Sequence, residues 1–160
     1  MKSLHLLIIA MLSMLVLSGC SAQMIAGVDD TGEFSNMAEG DAFLAENKKK
    51  EGVVELWSGI QYKVLREGTG PMPKMGDKVV VMYTGKTIGG EVFDSTRGAS
   101  RVYPVRKMMT GLQEAILRMK EGAKWEVYLP PEYAYGERSA GPLVGPYSTV
   151  IYEIELFKAY

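Results

Sequence analysis

The sequence predicts an α+β domain: an antiparallel sheet with one short helix packed on a face. Three observations point there. Residues 53–160 hold four to six short runs rich in valine, isoleucine and tyrosine, separated by glycine and proline. Only one stretch there, 111–119, repeats its apolar residues at helical spacing. No repeat at a fixed period is visible, which leaves a helix-on-sheet arrangement rather than a solenoid.

The elements follow in order. Residues 36–50 read as a helix, with Asn36 and Glu39 at its start, Lys48-Lys49-Lys50 at its negative end and Gly52 as its stop. Met37, Phe43 and Leu44 form a thin apolar stripe, so this helix is expected to be marginal and solvated. From Val53 the pattern turns alternating and β-branched. Residues 60–65 read as a strand, and Glu67-Gly68-Thr69-Gly70-Pro71 ends it. A long valine-rich strand spans 77–88, and Gly89-Gly90 turns the chain into Glu91-Val92-Phe93-Asp94 as a hairpin would. Residues 97–100 are loop and 101–105 a short extended piece. Thr110 and Gln113 are spaced as a capping box for the 111–119 helix, whose Leu112, Ala115, Ile116 and Met119 share one face, and Gly122 ends it. Residues 124–129 form a strand stopped by Pro130-Pro131. Residues 139–146, with two glycines and two prolines, form a loop, and 149–157 a final strand. Trp57 and Trp125 read as packing residues.

The N-terminal segment is of another kind. Lys2 precedes the apolar run 6–17, which falls short of the roughly 20 residues that a membrane-crossing helix needs. Ser18, Gly19 and Cys20 follow, and the whole reads as a secretory signal. Leu17-Ser18-Gly19-Cys20 resembles the lipobox of bacterial lipoproteins. That resemblance implies cleavage before Cys20, acylation of Cys20 and, with Ser21 next, delivery to the outer membrane. Two or more acyl chains give stable anchoring. The expected organisation is therefore a signal over 1–19, a tether and short helix over 20–52, and a domain over 53–160.

Composition narrows the chemistry. The chain has 160 residues, net charge −1 and 23% charged residues, which gives no reason to expect nucleic acid as a partner. Cys20 is the only cysteine, so no intrachain disulfide can form. The only histidine, His5, lies in the signal, so the mature chain has no Ser/His or Cys/His catalysis and no histidine-ligated metal. What remains is a spaced set of aromatics around one carboxylate: Tyr83-Thr84-Gly85, Val92-Phe93-Asp94-Ser95, Tyr133-Ala134-Tyr135-Gly136 and Tyr152. Such a set suits an apolar concave site with one or two polar groups, which favours binding or bond rotation over bond cleavage. Tyr83 and Tyr152 also read as ordinary strand tyrosines, and Met108-Met109 as core. Tyr135, between a proline break and Gly136, projects from a turn.

Met82-Tyr83-Thr84-Gly85, Val92-Phe93-Asp94-Ser95 and Pro131-x-Tyr133-Ala134-Tyr135-Gly136, in that order, together with Ser58-Gly59-Ile60-Gln61-Tyr62-Lys63-Val64-Leu65, resemble the FKBP-type peptidyl-prolyl isomerases. The likeness is to secreted bacterial members of the macrophage-infectivity-potentiator kind. It implies a curved antiparallel sheet wrapped around a short helix, with a pocket between them. It implies that Tyr83, Phe93, Asp94, Tyr103, Met108, Met109, Leu112, Tyr135 and Tyr152 line that pocket, with Leu143 and Val144 in an overhanging loop. The Met109 N–H would hold a substrate carbonyl, the Tyr135 hydroxyl would offer a second hydrogen bond, and Asp94 would lie near the rotating bond. Bond rotation transfers no proton, so Asp94 is expected to orient and polarise rather than act as a base.

The implied partners are proline-containing protein segments and macrolides such as tacrolimus or rapamycin, with no cofactor and no metal. Leu112 stands where family members often place tryptophan. Tyr103, Met108 and Met109 replace the more usual phenylalanine, valine and isoleucine. A leucine floor loses an aromatic contact of roughly 0.5–1.5 kcal/mol, so weaker substrate and macrolide binding is expected. Residues 21–52 are shorter than the helical arm of related dimers, so no domain-swapped dimer is expected. The leading expectation is a membrane-anchored isomerase facing the periplasm. A low-activity chaperone or docking module using the same pocket, and a purely structural envelope lipoprotein, stay open.

Overall fold

The chain is described here from a computed structural model that covers residues 32–160; the signal and Cys20 lie outside the described residues. The elements are α1 (Glu33–Asn47), β1 (Val53–Glu55), β2 (Gln61–Arg66), β3 (Lys78–Thr87), β4 (Val92–Ser95), β5 (Arg101–Pro104), α2 (Thr110–Ile116), β6 (Lys124–Leu129) and β7 (Val150–Ala159). Short 3-10 turns cover Val105–Lys107 and Pro131–Tyr133. All seven strands join one antiparallel sheet, in the order β1-β2-β6-β7-β3-β4, with β5 also paired to β3. β1 and β4 end that path, so the sheet is open rather than a closed barrel.

The period-2 pattern decides which face is core. Val79 and Val81 of β3, Trp125, Val127 and Leu129 of β6, and Val150, Tyr152, Ile154 and Leu156 of β7 all point to one buried face. Against it α2 places Leu112, Ala115 and Ile116, with Met119 just beyond, all buried. Each fully buried side chain of this size contributes about 1.5–3 kcal/mol. The pairing register shifts at Val64/Arg66, Val80/Val81 and Gly85/Lys86. Irregularities of this kind bend a strand and raise its twist, which curves the sheet around the helix. At the entry to α2, a Cβ on Gly111 would stand 2.5 Å from Leu129 Cδ2 and 2.8 Å from the Tyr133 carbonyl oxygen. Only glycine lets the helix sit that close to the end of β6.

The expectations for the N-terminal helix need correction. It starts at Glu33, not Asn36, with Gly32 as N-cap at φ 70°. Asn36 does not cap; its Nδ2 donates to the Pro146 carbonyl at 2.8 Å, a contact with the far end of the sequence. The helix ends at Asn47, and Gly52 (φ 80°) instead turns the chain toward β1. As expected, α1 is solvated along most of its length, with only Gly40 and Asn47 buried, but it is anchored to the sheet at a few points. Asn47 is fully buried and donates to Gln61 Oε1 at 2.9 Å, while Gln61 Nε2 donates to the Leu44 carbonyl at 2.9 Å. Phe43 meets the Tyr128 ring at 6.0 Å between centroids. The helix docks through an amide pair, one aromatic and a glycine, so a search for an apolar stripe undervalues it.

Two further readings change. The Thr110/Gln113 capping box does not form: Met109 is the N-cap of α2, without a side-chain cap bond. Trp57 is not a packing residue but fully exposed, whereas Trp125 is buried and stacks on Tyr62 with 4.2 Å between ring centroids.

Gly40 tests how α1 is docked. A Cβ there would lie 2.4 Å from Thr149 Oγ1 and 3.1 Å from Thr149 Cβ. For a free helix, Gly40→Ala would stabilise by roughly 0.8–1 kcal/mol. For a docked one it forces apart buried groups, and chemical denaturation should show a net loss of about 1–2 kcal/mol.

Candidate functional site

α2 is seven residues long and β3 and β7 are ten each. At about 1.5 Å rise per helical residue and 3.3 Å per strand residue, the helix covers only about a third of those strands' length. Beyond its N-terminal end the concave face carries aromatic rings in place of a second helix. There the sheet holds a cavity of about 170 Å³. Tyr83 of β3, Asp94 of β4, Tyr103 of β5 and Tyr152 of β7 form its sheet side. Leu112 of α2 supplies the buried floor, Lys107, Met108 and Met109 form the rim before the helix, and Tyr135 closes the side after the Pro131–Tyr133 turn.

One glycine lets the rings converge. A Cβ on Gly85 would stand 2.9 Å from the Phe93 ring and 3.0 Å from the Tyr152 ring. Across that gap Phe93 meets Tyr152 edge-on at 5.8 Å and 88°, and Tyr135 at 6.0 Å and 76°. Tyr83 meets Tyr152 at 5.7 Å and Tyr103 at 6.1 Å. Such tilted pairs contribute roughly 0.5–1.5 kcal/mol each beyond burial, and they fix the ring planes that wall the cavity.

The polar groups are few and paired. The Tyr83 hydroxyl donates to Asp94 Oδ2 at 3.0 Å, which orients the carboxylate at the cavity wall. The Tyr135 and Tyr152 hydroxyls share a hydrogen bond of 2.9 Å. Either hydroxyl can be the donor; in the arrangement where Tyr152 donates, the Tyr135 proton is available to a ligand. Burial pushes the Tyr152 phenol well above its usual range, and its bond to Tyr135 adds to this. Burial likewise raises Tyr83, followed by its neighbours Tyr103 and Asp94. Both phenols therefore stay neutral hydrogen-bonding groups at any physiological pH. Met109 N–H donates to no backbone acceptor among the described residues. No group of three or more His, Cys, Asp or Glu able to hold a metal occurs among the described residues.

Eight of the residues expected in the pocket thus line one cavity. Phe93 stands behind it, packed on Tyr135 and Tyr152. Leu143 and Val144 do not line it: Val144 is fully buried, and both border a separate cavity of about 290 Å³ beside Asn36 and Glu39 of α1. Lys107, absent from the sequence expectation, lies on the rim; its only signal was adjacency to Met108-Met109.

Comparison with known proteins settles the family. The family model described as FKBP-type peptidyl-prolyl cis-trans isomerase matches residues 70–157, and the model of the domain amino-terminal to it matches 20–64. The chain belongs to the FKBP-type peptidyl-prolyl isomerases. Within that family it is 46% identical over 123 residues to the peptidyl-prolyl cis-trans isomerase Mip of Coxiella burnetii, covering 76% of this chain and 54% of that protein. It is 47% identical over 123 residues to the outer membrane protein MIP of Legionella longbeachae, covering 76% and 53%. The chain spans about half the length of these curated relatives. The crystal structure of a peptidyl-prolyl cis-trans isomerase from Pseudomonas syringae superposes with a TM-score of 0.75 at 34% identity, covering 83% of this chain and 98% of that one. The curved open sheet around a short helix is thus an FKBP fold.

The raised phenols predict a pH dependence of stability. The folded state keeps protons on Tyr83 and Tyr152 that the unfolded chain releases near pH ~10. Their contribution is therefore complete below about pH 10 and lost as pH rises beyond it. Urea midpoints should hold steady from about pH 7 to 9 and fall above about 10, less steeply in Tyr152→Phe.

Proposed function

We propose that this chain is a peptidyl-prolyl cis-trans isomerase, anchored at a bacterial envelope membrane through acylated Cys20, that acts on X–Pro segments of envelope proteins. Residues 1–19 are the removed signal, 20–52 the tether with α1, and 53–160 the isomerase unit. The observation that carries the reading is the cavity itself: aromatic and thioether walls, two hydroxyl-centred hydrogen bonds, and the unpaired Met109 N–H on its rim. Family membership supports the reaction, and the likeness to a protein named for the outer membrane supports the location. No helix among the described residues is long and apolar enough to cross a membrane.

The chemistry follows from the amide. Rotation about a peptide bond costs about 18–20 kcal/mol, because the twisted state loses resonance. Resonance separates charge between oxygen and nitrogen, and water stabilises the separated, planar form. The walls formed by Tyr83, Tyr135 and Tyr152 solvate that form less well, so the twisted amide is relatively favoured. Met109 N–H holds the carbonyl of the residue before proline, Leu112 supports the prolyl ring, Tyr135 donates a second hydrogen bond, and Asp94 faces the moving dipole. No proton is transferred. Each factor of ten in rate needs about 1.4 kcal/mol, within reach of a few such contacts. Macrolide ligands would enter the same cavity, held less tightly over leucine than over an aromatic floor.

The test is tetrapeptide isomerisation by the full chain in mild detergent. The chain should exceed the buffer rate, Tyr135→Phe should lower kcat/KM, and Leu112→Trp should raise it by about 2- to 10-fold. A rate no faster than buffer, with binding of unfolded protein retained, would replace the enzyme by a chaperone. Mass spectrometry of the mature N-terminus should find acyl chains on Cys20; an unmodified thiol there would remove the anchor.

A further inference from the structure

We infer that Gln113 is the positioning residue of this pocket's substrate-carbonyl donor, acting through the peptide unit between Met108 and Met109. Its spacing from Thr110 suggested a capping partner, yet α2 has no side-chain cap bond. The side chain is used elsewhere. Gln113 Nε2 donates to the Met108 carbonyl at 2.7 Å and reaches the Arg106 carbonyl at 3.4 Å. One amide thus ties α2 to the segment that forms the cavity rim.

The Met108 carbonyl and the Met109 N–H belong to one planar unit, and the chain contains no cis peptide among its described residues. Holding the oxygen on the α2 side fixes the N–H on the opposite side. Both flanking methionines line the cavity, and their flexible side chains specify little on their own. Backbone bonds hold the units on either side, Met108 N–H to the Val105 carbonyl at 3.1 Å and Gln113 N–H to the Met109 carbonyl at 2.9 Å. The Gln113 side chain holds the Met108–Met109 unit itself, and without it that plane can tilt between two fixed neighbours and the N–H loses its aim. Donation to the carbonyl also polarises the unit, which makes its N–H a stronger donor. A substrate carbonyl held equally in ground and transition states affects KM rather than kcat. The inference rests on the isomerase reading for its substrate and not for its geometry.

Gln113→Glu is the decisive variant, because it keeps length and packing but replaces the donor by a carboxylate. Gln113→Lys keeps a donor. In the full chain, Gln113→Glu should raise KM for an X–Pro tetrapeptide about fivefold with kcat nearly unchanged, and Gln113→Lys should restore most of it. In the peptide-free protein, the Met109 amide resonance should move markedly in Gln113→Glu and much less in Gln113→Lys. An unmoved Met109 amide, or a KM equal to wild type in Gln113→Glu, would overturn the inference. Should the wild type show no turnover at all, the isomerase reading falls, and the Met109 amide comparison still decides whether Gln113 sets that peptide.

Discussion

A short helix on a long, curved sheet is the constraint from which the rest follows. Seven residues of α2 cannot cover strands of ten, so part of the concave face must be finished some other way. Buried aliphatics complete the core where α2 reaches. Beyond it, rings from β3, β4, β7 and the segment after β6 lean on one another around Gly85 and enclose space rather than filling it. The cavity is thus a consequence of the helix length, and the glycine is what allows its walls to converge. Gly111 performs the matching task at the helix, since without its close approach to β6 the floor residue Leu112 would be lifted from the sheet.

Within that frame polar groups are placed sparingly and, apart from the Met109 N–H, in bonded pairs. Tyr83 is satisfied by Asp94, Tyr152 by Tyr135, and Met108 by Gln113. Each bond spends one polar group of the pocket on fixing another. The surface offered to a ligand is therefore mostly apolar, with a small number of oriented dipoles, which suits the proposed prolyl ring and carbonyl. The N-terminal helix extends the same economy to the opposite side of the chain. Asn36 holds the Pro146 carbonyl, within the segment that leads into β7, so α1 and the loop before β7 brace each other.

How far the sequence could be read depended on how local each determinant was. The β6 strand was legible to the residue, because Pro130-Pro131 punctuates it and its first half alternates, with Trp125 and Val127 buried between the half-exposed Lys124 and Glu126. Gly89-Gly90 likewise gave the β3–β4 hairpin, and the face of α2 was legible from Leu112, Ala115 and Ile116. Local signals misled where a side chain had a distant partner. Asn36 looked like a cap but bonds a carbonyl 110 positions away, and Gln113 looked like half of a capping box but grips Met108. Trp57 looked like core because tryptophan usually is, yet its hairpin leaves it in water. Most of the pocket was readable through resemblance to a family, since spacing alone could not separate pocket tyrosines from core tyrosines. Phe93 stands one layer behind the cavity, and Leu143 and Val144 sit in a loop that borders a different cavity with α1 and is bonded to it through Asn36, a distant contact that no local pattern encodes.

The proposed chemistry comes down to an apolar hollow that eases twisting of a planar amide, with oriented dipoles and no acid or base. The most direct measurement is the isomerisation rate of an X–Pro tetrapeptide in ordinary and in heavy water at matched acidity. A mechanism of desolvation and positioning predicts the same rate in both. A fall of about twofold or more in heavy water would mean that a proton moves in the rate-limiting step, and would contradict the account.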